Sequence, residues 1–398
     1  MKIIILIIIL IYFLKYVLKS HCNIENKLIR YMKHEKYYID LNQNSDELIR
    51  IIEYSRITRE KRLKKINYTD EILNPKVSLI ATVFNKANYL YSLITSIQNQ
   101  KLREFELICI DDYSTDNSVN IINNFSSIDK RIKLIKNKKN RGTLYSRAQG
   151  ALFSKGTYII FIDGDDLLLK DGLCNAYNYI NKNKLSIVQF NTGFHGKDKY
   201  FINQRDHIYR KVITQPILSY IFYYNFNLRK GDEQNTALWD KLIHKEIVIK
   251  TLKYIGNKYI RKKIRIENDV ILLFSIFQNS ISYQYINEIV YFYYKTNQDS
   301  ISNSWYNEKI AEKIIESLFI NINFLYSNTN NTFLDKYYCV FKVKQSFERY
   351  KKCFQLIRKE NRFMKKIFNK LLSSNYISNS DKVDIANIEL YISNLSNK

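Results

Sequence analysis

Apolar residues run without a charge from Ile3 to Leu14 and resume at Tyr16, Val17 and Leu18 after Lys15. The run is at the short end of what spans a bilayer, and Lys15 and Lys19 are placed to reach the headgroups. No small-residue cleavage site follows it. The pattern therefore predicts an uncleaved signal anchor over residues 1–20, with a cleaved signal peptide and a buried helix as the other readings. Basic residues flank both ends and leave the orientation open. Residues 21–75 are polar, with scattered apolar positions such as Leu48, Ile51 and Ile52, and predict a helical stem closed by Pro75.

From Lys76 the pattern changes to short β-branched runs alternating with helical periods. Strands are predicted at Val77–Val83, Phe105–Ile110, Ile132–Ile135 and Tyr158–Ile162. Helices are predicted at Ala87–Gln100, Ser114–Asn124 and Gly142–Leu152. Such alternation implies an α/β fold with a mostly parallel sheet covered on both faces, whose ligands lie at the carboxyl ends of the strands. Those ends read Phe84-Asn85, Asp111-Asp112 and Asp163-Gly164-Asp165-Asp166, so acidic residues collect on one rim. One acidic strand end is ordinarily a loop or a cap. Two clusters at equivalent ends repel each other unless a cation or hydrogen bonds intervene, and a divalent ion bridging a diphosphate would serve.

Composition sharpens this picture. The 398 residues carry a net charge of +25, which on its own suggests a polyanionic partner. Yet residues 76–166 hold 13 Lys and Arg against 9 Asp and Glu, so the charge does not define the acidic rim. Five of the nine glycines fall between Gly142 and Gly172, beside that rim, where backbone must turn or approach something closely. The five cysteines are scattered with no C-x-x-C pair, which excludes a dense disulfide framework or a paired-cysteine zinc site.

Residues 336–370 hold 12 Lys and Arg against 2 Glu, with apolar residues recurring at Val340, Val343, Phe347, Tyr350, Phe354, Ile357, Met364, Phe368 and Leu371. This amphipathic helix either docks its apolar stripe on the rest of the protein or lies on an anionic membrane. No nucleic-acid-binding module accompanies it, and no nucleic-acid partner is expected.

Taken in order, Val77-Ser-Leu-Ile-Ala-Thr-Val-Phe-Asn85, Ser96-Ile-Gln-Asn-Gln100, Asp111-Asp-Tyr-Ser-Thr-Asp116, Asn140-Arg-Gly142 and Tyr158-Ile-Ile-Phe-Ile-Asp-Gly-Asp-Asp166 resemble the motifs of glycosyltransferase family 2. The resemblance continues more loosely through Trp239-Asp-Lys-Leu242, Glu267-Asn-Asp269 and Tyr291 to Ser302. It implies a GT-A fold and inverting transfer of a sugar, of hexosyl or N-acetylhexosaminyl type, from a nucleotide diphosphate to an acceptor hydroxyl. The implied partners are a nucleotide-sugar donor and a glycan, glycolipid, glycoprotein or lipid-linked acceptor; the implied cofactor is Mn²⁺ or Mg²⁺. Phe84, Asn85, Asp112, Arg147 and Asp163 would hold the donor, with Asp112 on its base. Asp163 and Asp165 would form the metal-binding D-x-D motif, Asp269 would be the catalytic base, and Trp239 would line the acceptor subsite. Asn268 stands where the family usually has Glu, which leaves Glu267 as a second candidate base. Tyr113 stands where Gly is frequent.

The expected organisation is an anchor at 1–20, a stem at 21–75, a GT-A domain at 76–302 and a basic helical extension at 303–398. The expected localisation is single-pass membrane, in the Golgi or endoplasmic reticulum if the source is eukaryotic. Two rivals stand beside the transferase: a membrane- or polyanion-binding protein with an inactive transferase fold, and a sugar nucleotidyltransferase. The second lacks its Gly-rich loop, since Phe84-Asn-Lys-Ala-Asn88 contains no glycine.

Overall fold

The computed structural model describes residues 72–195, 200–203, 212–215, 237–294 and 308–328, together with isolated positions at 57, 68–70 and between 343 and 390. The chain begins as β1 (Val77–Val83), α1 (Ala87–Gln98), β2 (Phe105–Asp111), α2 (Ser118–Ile128), β3 (Ile132–Lys136), α3 (Thr143–Phe153) and β4 (Tyr158–Asp163). It continues through β5 (Leu167–Leu168), α4 (Gly172–Asn183), β6 (Ile187–His195), β7 (Tyr200–Asn203) and β8 (Ile213–Thr214). The last described elements are β9 (Lys241–His244), α5 (Lys245–Ile260), α6 (Asp269–Asn279), β10 (Ser282–Tyr294) and α7 (Glu308–Asn328).

The alternation of β1 builds two cores at once. Val77, Leu79, Ala81 and Val83 face a core completed by α1, α2 and α4. Ile80 faces the opposite core, which α3, α5, α6 and α7 complete. A strand buried on both faces reads as a continuous apolar run, which is why VSLIATV was legible as one.

The sheet order is β3-β2-β1-β4-β9-β6-β10-β5, with β7 beside β6 and β8 beside β10. Strands β3, β2, β1 and β4 are parallel. Beyond β4 the sheet turns mixed: β9 runs antiparallel to both β4 and β6, and β5 and β8 run antiparallel to β10. This corrects the expected mostly parallel sheet. The parallel reading holds for the βαβ half, where helices make the crossovers, and fails where short strands such as Lys241–His244 and Leu167–Leu168 give no periodic signal.

A second correction concerns the membrane. Among the described residues no helix is long and apolar enough to cross one. The longest described helix, α7, carries Glu308, Lys309, Glu312, Lys313 and Glu316 in its first turns, too many charges for a span. The expected single-pass membrane localisation, with its secretory-pathway placement, is corrected on this finding. The anchor at 1–20 and most of the stem lie outside the described residues. In the basic C-terminal segment, Val343, Phe347 and Phe368 are buried in the same core as α3 and α6, which is the docking arrangement; Val340, Tyr350, Phe354, Ile357, Met364 and Leu371 lie outside the described residues.

Candidate functional site

The strand ends are level. Thr82 pairs in register with Asp163 and Val83 with Asp111, so the loops after β1, β2 and β4 leave the sheet side by side. Two of these loops are stitched together. Asn85 donates its backbone N–H to Ser114 Oγ at 2.9 Å and accepts from the Thr115 amide through Oδ1 at 2.8 Å. Lys86 N–H donates to Ser118 Oγ, and Asp116 accepts from the amides of Ala87 and Ser118. The stitching explains why α2 begins at Ser118, four residues after the predicted start: Ser114 and Asp116 are spent on the loop.

Asn85 and Tyr113 have φ of 51° and 72°, the left-handed region that disfavours side chains with a Cβ. The frequent Gly at the position of Tyr113 has its physical reason there. Phe84 and Tyr113 are both exposed, at 46% and 55%, so two aromatic rings stand at the ends of adjacent strands.

Asp112 is buried and fully engaged with the segment that leads into α3. It accepts from Asn137 Nδ2 at 2.9 Å and from the amides of Arg141 and Gly142 at 2.7 Å each. Gly142, with φ of 90°, sits at the N-cap of α3. The structure thus places Asp112 as the brace of the 137–142 loop, at the edge of the rim.

The centre is Arg147, a buried residue of α3. Its Nη2 donates to Asp163 Oδ1 at 3.0 Å, and its Nη1 to Asn268 Oδ1 at 2.7 Å and to Asp269 Oδ1. Burial opposes its charge, and Asp269 and Asp163 outweigh that and hold its pKa above the usual arginine value. Asp165 pairs with Lys86 Nζ at 2.7 Å. Burial lowers the Lys86 pKa, but the attraction of Asp165, Asp163 and Asp166 wins and raises it overall. Asp166 accepts from the Tyr291 hydroxyl at 2.7 Å, and the Asp163 amide donates to the same hydroxyl oxygen at 3.1 Å. Burial and the two carboxylates push the Tyr291 phenol well above its usual value, so it stays a donor.

Asp163 is held above the ordinary carboxylate range. Burial does most of this, and the like charges of Asp269 and Asp165 add to it against the pull of Arg147. Four carboxylates, Asp163, Asp165, Asp166 and Asp269, thus face two cations, Lys86 and Arg147. That residual negative charge and the hard oxygens of Asp163 and Asp165 fit a divalent ion. Among the described residues no group of three or more His, Cys, Asp or Glu side chains could hold one by itself. A site of two carboxylates completed by substrate phosphates is the arrangement Mg²⁺ ordinarily takes.

Lys86, Asn268 and Tyr291 carry no role in the sequence reading. A lysine directly after the first strand end, opposite an acidic cluster, was the available signal. Trp239 is buried and stacks on Tyr291 at 4.9 Å and Tyr293 at 5.6 Å, which places it in the core beneath the rim. The Glu267 backbone, at φ 49°, accepts from Asn321 of α7 through its carbonyl at 3.1 Å.

Residues 78–251 match the family model described as glycosyl transferase family 2. An uncharacterised glycosyltransferase of Haemophilus influenzae is 40% identical over 30% of this chain and 48% of its own length. The cholesterol galactosyltransferase of Borreliella burgdorferi is 31% identical over 55% of this chain and 59% of its own. The chain thus spans about half the length of these curated relatives. Among solved structures, residues 1–349 of S. aureus TarS, in complex with UDP-GlcNAc, superpose with a TM-score of 0.48 at 15% identity, over 80% of this chain and 92% of that one.

Proposed function

From the premise that residues 78–251 are a glycosyl transferase family 2 domain, we propose that this chain moves a hexosyl or N-acetylhexosaminyl group from a nucleotide diphosphate to an acceptor hydroxyl, inverting the anomeric carbon. One observation carries the reading: Arg147 joins Asp163, on the strand-end rim, to Asp269, at the start of α6. A donor-side carboxylate and a candidate base, distant in sequence, therefore meet around one guanidinium.

In this reading Asp269 takes the proton of the acceptor hydroxyl as its oxygen attacks opposite the leaving diphosphate. Arg147 holds Oδ1, which leaves Oδ2 for the acceptor. Asp163 and Asp165 would hold Mg²⁺ or Mn²⁺, which would supply positive charge to the leaving diphosphate. Phe84 and Tyr113 offer ring faces to the nucleotide base. Asn85 and Asp112 shape that pocket by fixing the loops beside it, and Asp166 with Tyr291 fixes the turn that carries Asp163 and Asp165. Trp239 supports the same turn from below through its stack on Tyr291.

The test is a panel of nucleotide sugars screened for thermal stabilisation with Mn²⁺, followed by turnover of the selected donor. Asp269→Asn should retain donor binding and lose roughly 10²- to 10⁴-fold in turnover, the usual share of a positioned base. Retained turnover in that variant would move the base to another group, Glu267 first.

A further inference from the structure

Beside the rim lies a pocket of opposite sign. Lys262, Lys263, Arg265, Lys313, Glu316 and Ile320 line a cavity of about 190 Å³, far larger than the roughly 10–15 Å³ that one water needs on the same measure. Four cations face one carboxylate there. Among the described residues none of the four cations makes an ion pair within 4.0 Å. The Lys263 ammonium is pushed below its usual value, by burial first and then by Arg265 and Lys313, with Asp112 pulling the other way.

The walls are held in place by backbone contacts. The Arg265 amide donates to Ser317 Oγ at 2.9 Å, and that hydroxyl donates to the Lys313 carbonyl at 2.7 Å. Lys263 packs against the first turn of α3, its Cγ lying 3.3 Å from where a Gly142 Cβ would stand. One helix, α7, and the 262–265 loop thus line the cavity, with the N-cap of α3 against Lys263. Mutually repelling cations held on such a frame are stabilised by a bound anion, and a dianionic phosphate suits ammonium groups and a guanidinium together.

We propose that this pocket binds a phosphate group carried by the acceptor, so that the acceptor class is an anionic, phosphate-bearing hydroxyl compound. The proposal rests on the transferase reading given above. The acceptor side is indicated by chain position: Arg265 stands four residues before Asp269, and Asn321 of α7 ties the intervening Glu267 carbonyl to the same helix that supplies Lys313. An anion seated here lies along the segment that carries the candidate base, whereas the donor diphosphate belongs with Asp163 and Asp165.

Titration of the full chain with inorganic phosphate at low ionic strength tests the site without any turnover. One phosphate per chain should bind, and Lys263→Ala/Lys313→Ala should weaken it at least tenfold while nucleotide-sugar binding moves less than twofold. Lys263 and Lys313 are exposed, so the variant should fold; Lys263→Gln/Lys313→Gln is the second variant. Binding that is unchanged in both variants, or that the nucleotide diphosphate displaces stoichiometrically, overturns the site. With the selected donor, glycerol phosphate should be preferred to glycerol as acceptor, and the variant should raise KM for glycerol phosphate alone with kcat held. Stimulation of transfer to glycerol by free phosphate would make the ligand an effector and overturn the acceptor assignment. Loss of all donor binding in the wild-type chain would instead sink the transferase reading and leave the phosphate titration standing.

Discussion

Arg147 and Asp269 stand 122 residues apart in the chain and form one ion pair, with Asp163 held by the other arm of the same guanidinium. The fork matters more than the charge. An arginine offers two parallel N–H groups to two carboxylates, whereas a lysine offers a single point charge. Arg147→Lys should therefore leave a folded protein whose turnover falls by roughly 10-fold or more, the scale of a small misplacement at a reacting centre. Arg147→Met removes the cation that bridges Asp163 and Asp269 and should destabilise by about 3 kcal/mol, the low end for breaking a buried pair because both carboxylates retain some solvent. Chemical unfolding of Arg147→Met, Asp269→Asn and the double variant measures the coupling, expected at about 1–3 kcal/mol. Additive effects would mean that the pair does not hold the site together.

The raised pKa of Asp163 has a definite sign in stability. Because the folded chain holds this proton more tightly than the unfolded one, the stabilisation it gives is complete below the unfolded carboxylate pKa, about 3.9. It is lost as pH rises through the folded value. Asp163→Asn keeps the group neutral throughout, so the variant's Tm minus the wild type's should be near zero at about pH 4 and positive by about pH 8. Mn²⁺ at pH 8 should raise the wild-type Tm more than the variant's, since relieving repulsion is all it adds without donor. A pH-independent Tm difference contradicts the like-charge account.

Tyr113 occupies left-handed backbone with its ring exposed. Such a conformation costs an ordinary residue roughly 1–2 kcal/mol, part of which a glycine recovers. Tyr113→Gly should be neutral to about 1 kcal/mol more stable in urea unfolding, yet should weaken donor binding by several fold if the ring stacks on the nucleotide base. Tyr113→Phe, which keeps the ring, should bind donor normally. Weak binding in both would point to the hydroxyl.

Gly150 tests the packing of α3 on the sheet. A Cβ there would stand 2.3 Å from Ile80 Cγ2, and Ile80 is fully buried. Alanine gains about 1 kcal/mol in helix propensity but must displace the sheet or the helix, an overpacking penalty of roughly 1–3 kcal/mol. Gly150→Ala should lower the urea midpoint and, by shifting Arg147 one turn away, lower turnover as well. Gly150→Ala/Ile80→Ala should recover part of both.

Much of the rim was legible because parallel strands advertise themselves. Val77–Val83 was predicted to the residue, and the acidic ends of β2 and β4 fell where expected. The glycines between Gly142 and Gly172 were read as backbone that must turn tightly or approach a ligand closely. In the structure Gly150, Gly156 and Gly172 approach Ile80, Ser78 and Val290, so three of the five serve helix and loop packing. What the sequence did not disclose is who pairs with whom. The bond from Arg147 to Asp269 and that from Lys86 to Asp165 depend on the mutual placement of α1, α3, β4 and α6, which no local period encodes. The mixed half of the sheet was hidden for a related reason: strands of two to four residues are fixed by their neighbours.

The core that seats α3 also gathers Ile314, Leu318 and Phe324 of α7 and, farther along, Val343, Phe347, Cys353, Phe368, Ile385 and Ile388. The family match ends at residue 251, but the packing that holds Arg147 in position does not. A chain cut at that border would keep the strand-end motifs through Asp166 but lose Asp269, and it would strip α6, α7 and the later core residues from the face that α3 covers. The stretch that carries the family likeness is therefore shorter than the core that seats its central arginine.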